Sequence, residues 1–470
     1  MFVGRKNELR LLRSMTKGGK SAIGVIYGRR RIGKSELIAK AFEKERTLFF
    51  EGLENRPKQE QLDNFLFQLA FQTGKKQKPK KISSWREAFA MLYEELKQQP
   101  AHIIFDEFQW MANYRQEIVS ELKPVWDRYL SAIKGTALIL CGSIASFMTT
   151  KVVKSNALYG RTDLVIHLKG FLLPETKKML AGKGTREIIE AQMLAGGVPK
   201  YLELIKEKSS VRMAMEELAF TETGYLTDEY ERIFLSHFGR NPEYEKIVLT
   251  LAMRPYGLFR KQLAELTSIT PGGGLTTHLQ NLESAGFISS RTPFHKDLNS
   301  KLIKYFLSDA YLRFYYAFIR PNLKNIKSGV QQGIFNRISQ EGSFHAWMGR
   351  AFEYLCLEHA GFISRILGFS GIDFTFGPYF VAPKKGSPGI QIDLLFARGD
   401  NVITLCETKY SINPVGIDIT REVEKKVTIL KEAFPGKTIQ KILIAGNGAT
   451  RNLESAGYFY KTIRPEEFFN

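Results

Sequence analysis

A glycine-rich segment near the start of the chain has the composition and spacing of a phosphate-binding loop. Residues 28–35 follow the pattern of a glycine, four further residues, a second glycine, a lysine and a serine. In such a loop the backbone N–H groups surround nucleotide phosphates, the lysine reaches the β and γ phosphates, and the serine is a ligand of Mg²⁺. We therefore expect ATP and Mg²⁺ as cofactors. The predicted contacts to them are Gly28, Arg29, Arg30, Arg31, Ile32, Gly33, Lys34 and Ser35.

Two consecutive acidic residues, Asp106 and Glu107, follow the apolar residues 103–105. This order predicts an acidic pair at the end of a buried strand. Asp106 would contact the nucleotide and, with Ser35, hold Mg²⁺ through water, and Glu107 would orient and deprotonate the attacking water. Acidic residues also end many strands without a catalytic role, and it is the nearby phosphate loop that favours the catalytic interpretation.

The elements around these residues alternate between strands and helices. Residues 22–27 predict a buried strand that runs into the loop, and residues 36–42 predict the helix that follows it. Residues 84–87 have the spacing of a helix capping box, and residues 137–140 predict another buried strand. Over roughly the first 170 residues this alternation predicts a parallel sheet covered by helices on both faces.

The pattern changes after Pro174, where it becomes helical and is interrupted at residues 196–199. From about Glu243, three short apolar helices and a strand at residues 287–290 predict a winged helix-turn-helix. From about Phe344, a helix precedes strands at residues 391–396, 402–407 and 442–444, which predicts a second small α/β domain. The aromatic residues between 311 and 318 have helical spacing, and core packing explains them better than base stacking.

The composition is that of a globular protein, with 470 residues, 44% hydrophobic and 25% charged. This length suggests about three domains. No apolar stretch approaches the ~18 residues of a membrane span, and the first residues do not have the layout of a secretory signal, so we expect a cytoplasmic protein without a membrane partner. Cys141, Cys356 and Cys406 lie far apart, as ordinary reduced core thiols do.

The chain carries 68 Lys and Arg residues against 48 Asp and Glu residues, a formal net charge of +20. A positive charge of this size attracts polyanions, and DNA is the expected partner. A basic but merely solvated surface is the alternative interpretation.

The loop and the acidic pair together resemble those of AAA-type ATPases of the archaeal ATPase family, which also occurs in bacteria. Further segments at residues 2–9, 140–143, 158–161 and 196–201 are similar to that family, so that the resemblance covers about residues 1–235. It implies that Val3 and Arg5 line the adenine pocket, that Ser143 senses the γ-phosphate, and that Arg161 is the arginine finger.

Two of these implied roles have simple alternatives. Ser143 also fits a residue that only ends a strand, and Arg161 also fits a partner of Asp163 or of a carbonyl group. Whether Arg161 acts on its own nucleotide or on that of a neighbour stays open, and action on a neighbour would make the active form a homo-oligomer.

In the winged-helix segment, the helix expected to contact DNA bases is polar and contains no lysine or arginine. Its side chains suited to base edges are Thr276, Thr277, His278, Gln280 and Asn281, and the flanking cations suited to phosphates are Arg260, Lys261, Arg291 and Lys296. DNA binding is the favoured interpretation, and a role as an ATPase lid or a protein contact is the alternative.

The segment after residue 308 resembles the linker that in this family leads into a domain similar to the PD-(D/E)xK nucleases. That resemblance directs attention to Glu353, Asp393, Glu407 and Lys409. Successive side chains of a strand point to opposite faces, so Glu407 and Lys409, two residues apart, share one face. Asp393 lies on the preceding predicted strand. The three carboxylates would hold a divalent metal against a phosphate, and Lys409 would steady the attacking water. A buried ion pair would give the same pattern.

Together these features predict an α/β fold with a P-loop AAA-type parallel sheet, a helical lid, a winged helix-turn-helix and a restriction-endonuclease-like C-terminal domain. The predicted boundaries are 1–172 for the ATPase core, 173–240 for the lid, 241–325 for the winged helix and linker, and 340–470 for the nuclease-like domain. The predicted function is a Mg²⁺-dependent ATPase that acts on DNA. The alternative is a nucleotide-controlled signalling or assembly switch that works through protein contacts and cuts nothing.

Overall fold

Apolar strands in the first 170 residues pair into a five-stranded parallel sheet. The strands are β1 (Ala22–Tyr27), β2 (Thr47–Glu51), β3 (His102–Asp106), β4 (Ala137–Gly142) and β5 (Thr162–His167). Their order is β2-β3-β4-β1-β5, and every neighbouring pair is parallel. Because the strands are parallel, their carboxyl ends meet at one edge, and this edge receives the phosphate loop after β1 and the acidic pair after β3. The predicted α/β fold with a parallel sheet is confirmed.

Helices cover both faces of this sheet, since successive side chains of the central strands point to opposite sides. Ile104 packs into one apolar core and Phe105 into the other. The helices are α1 (Lys6–Ser14), α2 (Lys34–Ala41), α3 (Lys58–Thr73), α4 (Trp85–Gln98), α5 (Phe108–Met111), α6 (Glu117–Arg128) and α7 (Ala145–Phe147). The predicted cap of α4 is present, since the Ser84 side chain accepts a hydrogen bond from the backbone N–H of Glu87.

The structure is a computed structural model, and it describes residues 2–75, 81–292, 294, 303–381 and 389–469. It divides into two compact units. The first unit contains residues 1–170 and 280–286, and the second contains residues 171–279 and 287–470. The predicted boundaries within the second unit stay predictions.

The second unit begins with helices that include the predicted lid: α8 (Leu173–Met179), α9 (Thr185–Ala195), α10 (Pro199–Lys206), α11 (Val211–Ala219) and α12 (Glu229–Phe238). At the break before α10, Gly197 lies so close to Phe171 that an added Cβ would be 1.9 Å from the Phe171 carbonyl oxygen. No other residue type fits there.

Three further helices and a small sheet occupy the segment predicted to be a winged helix. They are α13 (Pro242–Ala252), α14 (Arg260–Thr267), α15 (Gly273–Ser284), β6 (Leu258–Phe259), β7 (Ile288–Arg291) and β8 (Lys304–Leu307). The strands are antiparallel in the order β6-β8-β7. The helices and β7 lie where the sequence predicts them, and the assignment as a DNA-binding winged helix stays a prediction.

A helical segment then leads to a second five-stranded sheet. The helices are α16 (Ala310–Phe314), α17 (Arg320–Ser328), α18 (Ile334–Ile338), α19 (Gly342–Glu358) and α20 (Ala360–Ile366). The aromatic residues of this segment are core residues, as predicted: Tyr311, Phe314 and Tyr315 are all buried.

The second sheet consists of β9 (Phe374–Val381), β10 (Ile390–Arg398), β11 (Val402–Lys409), β12 (Thr438–Ala445) and β13 (Lys461–Ile463), with helices α21 (Ile419–Ala433) and α22 (Arg451–Ser455). The order is β13-β12-β11-β10-β9, antiparallel from β9 to β11 and parallel from β11 to β13. This sheet carries Asp393 on β10 and Glu407 on β11.

Among the helices that the structure describes, none is long and apolar enough to cross a membrane. Cys141, Cys356 and Cys406 are all buried and free, as their spacing predicts.

Candidate functional site

The loop between β1 and α2 has a backbone that its sequence favours. Gly28 has φ 153°, and an added Cβ there would be 2.2 Å from the Leu168 carbonyl oxygen, so only glycine fits. Arg31 and Gly33 both have left-handed backbones, with φ of 71° and 82°. These residues turn the chain directly into α2, whose first turn has free N–H groups. A helix start of this kind favours a bound anion such as phosphate.

Lys34 is the first residue of α2, and its side chain is buried. Its ammonium group donates hydrogen bonds to the carbonyl oxygens of Gly28, at 3.0 Å, and Arg29, at 3.1 Å. Among the described residues no carboxylate forms an ion pair with it. Its positive charge is therefore held inside the loop by neutral groups, and phosphate oxygens can take their place.

Ser35 and Asp106 meet at the carboxyl edge of the sheet. The Ser35 hydroxyl donates to Asp106 Oδ2 at 2.5 Å, and Asp106 Oδ1 accepts the backbone N–H of Glu107 at 2.8 Å. A hydroxyl and a carboxylate side by side are the oxygen ligands that Mg²⁺ prefers. The two predicted Mg²⁺ ligands are thus brought together, and they fit the metal.

Glu107 is held by two polar side chains. Its Oε2 accepts the Ser143 hydroxyl at 2.6 Å and the Gln109 side-chain amide at 2.5 Å, and the same amide donates to Ser143 Oγ at 3.1 Å. Glu107 has a left-handed backbone, with φ 46°, between β3 and α5. Ser143 is thus bonded to the predicted base, and its role as a sensor of the γ-phosphate stays a prediction.

Gln109 is a site residue that the sequence interpretation missed. It is fully buried, and its amide oxygen has no hydrogen-bond partner among the described residues. Its position two residues after Glu107 was the only signal. Glu51 was missed as well: it lies opposite Asp106 in the sheet register, and partial burial, followed by the charges of Asp106 and Glu107, raises its pKa.

Arg5 anchors the loop from outside. Its guanidinium donates to the carbonyl oxygens of Ile32, at 3.3 Å, and Lys169, at 2.6 Å. Arg30 lies with its guanidinium 5.0 Å from the centre of the Trp110 ring. Val3 is half-buried, and its place in an adenine pocket stays a prediction.

Arg161 is bonded to an acid on α6. Its Nε donates to Asp127 Oδ1 at 2.6 Å and its Nη2 donates to Asp127 Oδ2 at 2.9 Å. Asp163, the partner suggested by sequence proximity, pairs instead with Lys20 at 2.6 Å. The structure thus gives Arg161 an acidic partner 34 residues away, and its role as an arginine finger stays a prediction.

Side chains of α15, the helix predicted to read DNA bases, are bonded to the two preceding helices α13 and α14 and to their own backbone. Arg260 donates to Thr276 Oγ1 at 2.8 Å, and the Thr277 hydroxyl donates to the Gly273 carbonyl at 2.9 Å. His278 pairs with Glu243 at 3.3 Å. Lys296 lies outside the described residues.

A second group of charged residues forms around β10 and β11 in the second unit. Asp393 Oδ2 accepts the Thr408 hydroxyl at 2.9 Å, at a register irregularity of β10. Glu407 is almost fully buried, and its two oxygens pair with Lys426, at 2.6 Å, and Lys409, at 3.2 Å. The latter pair confirms that Glu407 and Lys409 share one face of β11.

Lys426 is the residue of this group that the sequence interpretation missed. It lies on α21 next to the apolar stripe of Val423 and Val427. A lysine beside such a stripe is common on any amphipathic helix, so this position has no specific signal in the sequence. The pair with Glu407 joins α21 to β11.

The acids of this group raise one another's pKa. Burial and then the charge of Asp393 raise the pKa of Glu353, on α19, to about 7. Burial and then Glu407 raise the pKa of Asp393. Burial alone would lower the pKa of Lys409, but the carboxylate of Glu407 raises it. Within the described ranges, no three His, Cys, Asp or Glu side chains form a group that could hold a metal ion. The predicted three-carboxylate metal site stays a prediction.

Comparison with known proteins gives one family match. Residues 2–205 match the family model described as an ATPase domain predominantly from Archaea. An uncharacterized protein of Methanocaldococcus jannaschii is 27% identical over 412 residues, which cover 85% of this chain and 85% of that protein. An uncharacterized ATP-binding protein of the same organism is 46% identical over 43 residues, which cover 9% of this chain and 73% of that protein.

Among solved structures, the Walker-type ATPase of Pyrococcus abyssi is similar with a TM-score of 0.53. The match has 19% sequence identity and covers 67% of this chain and 96% of that chain. At this identity the similarity concerns the fold alone.

Proposed function

We propose that the chain is a Mg²⁺-dependent ATPase that acts on DNA, and we start from the match of residues 2–205 to the model of an ATPase domain predominantly from Archaea. One observation carries the proposal. The Ser35 hydroxyl lies 2.5 Å from Asp106, directly beside Glu107. Ligands for the metal and a base for water thus lie at the same sheet edge as the phosphate loop.

Each residue of this site has a distinct task in hydrolysis. Lys34 exchanges its carbonyl partners for the β and γ phosphates, and Ser35 and Asp106 hold Mg²⁺, which neutralises phosphate charge when it is bound. Glu107 accepts the proton of the attacking water, and a positioned base of this kind contributes about 10²–10⁴-fold to the rate. Ser143 and Gln109 hold the Glu107 carboxylate in one orientation.

Arg161 is the proposed arginine finger. To reach a phosphate it must leave Asp127, and a phosphate group with its larger negative charge is a competitive partner for a guanidinium. The Arg161 side chain is 29% exposed, so this exchange needs no unfolding of the core. If the phosphate belongs to a second copy of the chain, the active form is a homo-oligomer.

DNA is the proposed partner because of charge. A net charge of +20 favours a polyanion, and the phosphate backbone of DNA supplies most of the affinity in such complexes. Binding of this kind weakens steeply as the salt concentration rises, with little sequence preference.

A metal-dependent nuclease site is the proposed second activity. Glu353, Asp393 and Glu407 do not form a metal-holding group in the described residues, so they would hold a metal only if its binding drew them together. Such a metal would supply an activated water, and Lys409 would steady the developing charge. The raised pKa values of Glu353 and Asp393 support the proposal, since they reflect burial first and then neighbouring negative charge, which a cation would relieve.

ATP turnover measured without DNA, with single-stranded DNA and with duplex DNA tests the main proposal. We expect DNA to accelerate hydrolysis, and we expect Glu107→Gln to retain ATP binding but lose at least about 100-fold in turnover. Glu60→Gln, which removes the same charge from the exposed face of α3, is the control. Turnover at the parental rate in Glu107→Gln would refute the base assignment.

The same measurement of ATP turnover distinguishes the DNA-acting ATPase from the alternative function. A signalling or assembly switch that works through protein contacts would hydrolyse ATP at a rate that DNA leaves unchanged. Cleavage of DNA with Mg²⁺ or Mn²⁺ that is lost in Asp393→Ala, while ATP turnover stays, would support the nuclease site.

A further inference from the structure

The second unit contains a large cavity that the proposed ATP and nuclease sites do not explain by themselves. Its volume is about 730 Å³. Side chains of the small antiparallel sheet, of α19, and of strands β9 and β10 line it. Pockets of 300–1,000 Å³ typically enclose one organic ligand of moderate size. The charges and rings of its lining side chains indicate which kind of ligand it binds.

Three cations line the cavity: Arg291, Lys304 and Arg350. None of the three forms an ion pair with a carboxylate in the described part of the chain. Burial lowers the pKa of Arg291, although Tyr354 and Glu358 oppose this shift, and burial alone lowers the pKa of Lys304. This arrangement favours an anionic ligand.

Aromatic rings form much of the remaining wall. The Lys304 ammonium lies 5.2 Å from the centre of the Phe259 ring and 5.3 Å from that of the Phe380 ring. The Phe380 side chain is 51% exposed. Tyr379 and Phe294 add two more rings, packed edge to face. Such rings bind planar groups by stacking, and alternation of rings with cations is typical of surfaces that bind unpaired nucleotides.

Glu353 and Asp393 line the same cavity. These are two of the acids in the proposed nuclease site. A ligand that enters the cavity therefore meets aromatic rings, three cations that form no ion pair within the described residues, and this pair of acids. A nucleotide combines the matching groups, namely a planar base and a negatively charged phosphate.

We infer that this cavity binds unpaired nucleotides of a single nucleic-acid strand, with bases against the aromatic wall and phosphates at Arg291, Lys304 and Arg350. This inference rests on the proposed nuclease function, because it names a single strand as the substrate of that site. The volume admits a few nucleotides and excludes a duplex. A free mononucleotide has the same chemistry, and the strand is favoured because three separate cations suit successive phosphates.

The test is the binding of a fluorescently labelled single-stranded oligonucleotide, followed by fluorescence anisotropy in EDTA at physiological salt. Without metal or ATP, the measurement reports the cavity whether or not hydrolysis and cleavage occur. ATP turnover and cleavage are assayed separately, so failure of this inference and failure of the proposed function are distinguishable. We expect the single strand, as DNA or RNA, to bind at least about 10-fold more tightly than the matched duplex.

Two pairs of matched variants locate the binding. Lys304→Met should weaken binding and reduce the salt slope by about one, whereas Lys324→Met, on the exposed face of α17, should not. Phe380→Ala should weaken binding about 5-fold or more, whereas Phe376→Ala should not. Phe376 lies on the same strand, is 48% exposed, and is absent from the cavity wall. Thermal unfolding checks that all four variants remain folded.

Three results would overturn the inference. Equal effects of the variants within each pair would place the binding elsewhere on the basic surface. Duplex affinity equal to that of the single strand would contradict the size argument. Full competition by thymidine monophosphate at concentrations near the strand's own dissociation constant would make the cavity a mononucleotide site.

Discussion

Lys34 in the first unit and Lys426 in the second are both lysines next to a sheet that carries acids, but their partners differ. Lys34 donates only to two carbonyl oxygens of its own loop, whereas Lys426 pairs with the buried carboxylate of Glu407. The first lysine keeps its charge available for a ligand. The second already neutralises a charge of the protein and joins α21 to β11.

The acids of the two sites differ in the same way. Asp106 and Glu107 accept hydrogen bonds from neutral hydroxyl, amide and backbone groups. Glu407 is bonded by two ammonium groups instead. The comparison teaches that neutral donors leave the charge of Asp106 and Glu107 uncompensated, whereas a metal at the second site would compete with two lysines for Glu407. We therefore expect substitution of Lys34 to change ATP affinity and substitution of Lys426 to change the free energy of unfolding.

The largest expected effect is the loss of nucleotide binding in Lys34→Met. Because the lysine contributes charged hydrogen bonds to phosphates, ATP affinity should fall by about 100-fold. The unfolding free energy should change little, since only bonds to carbonyl groups are lost. Isothermal titration with ATP measures the affinity. Lys40→Met, on the exposed side of the same helix, should bind ATP normally. Normal ATP binding by Lys34→Met would contradict the conclusion that the charge of Lys34 is available for phosphate.

Lys426→Met should have the opposite effect. Removal of the Lys426 ammonium group should cost about 2 kcal/mol in unfolding free energy, because the buried carboxylate of Glu407 loses its shorter charged hydrogen bond and keeps only the pair with Lys409. Denaturant unfolding measures the loss, and ATP affinity should be unchanged. The neighbouring exposed Lys425→Met serves as the control. The double variant Lys426→Met with Glu407→Gln should regain part of the stability. Equal stability of Lys426→Met and Lys425→Met would show that the pair does not hold α21 in place.

Two buried histidines, one in each unit, also differ in their partners, and this difference predicts how stability depends on pH. In the first unit, His102 has a carboxylate partner, Glu45, at 2.5 Å. In the second, His359 has neutral partners, since its ring accepts the Leu173 N–H at 3.0 Å and contacts the Leu355 carbonyl oxygen at 2.9 Å. Burial lowers the pKa of His359 from 6.5 to about 4.

Below the unfolded-state pKa of 6.5, the unfolded chain binds a proton at His359 that the folded chain excludes. Stability therefore falls as the pH falls from about 6.5 towards 4. Between pH 7 and pH 5 this amounts to about 2 kcal/mol. Guanidinium unfolding at both pH values should show this loss in the parent and in His345→Gln, an exposed control, but a smaller loss in His359→Gln. An identical pH dependence in all three proteins would contradict the prediction.

The smallest effect is expected at Ser143. Ser143→Ala removes one hydrogen bond to Glu107, so kcat should fall by about 10-fold without a change in ATP affinity. Steady-state ATP turnover measures it, with Ser146→Ala as the control. Parental kcat in Ser143→Ala would mean that Gln109 alone suffices to orient the base.

The sequence by itself determined the phosphate loop, the order of strands and helices in the first unit, and the acidic pair after β3. It succeeded because these signals are local: the eight contiguous residues 28–35 specify their own turn, and apolar runs such as residues 103–105 specify buried strands. The shared face of Glu407 and Lys409 follows from strand alternation alone, and the second sheet places them as expected.

Only the tertiary structure decided which side chains meet across the chain. Ser143 reaches Glu107 from 36 residues away, Arg161 reaches Asp127 from 34 residues away, and Lys426 reaches Glu407 from 19 residues away. These contacts depend on how strands and helices pack, and the residues themselves have no spacing that reveals them. The same holds for the aromatic cavity, whose walls come from three separate segments. Local patterns encode local geometry, but the partners of a charge depend on the packing of the whole fold.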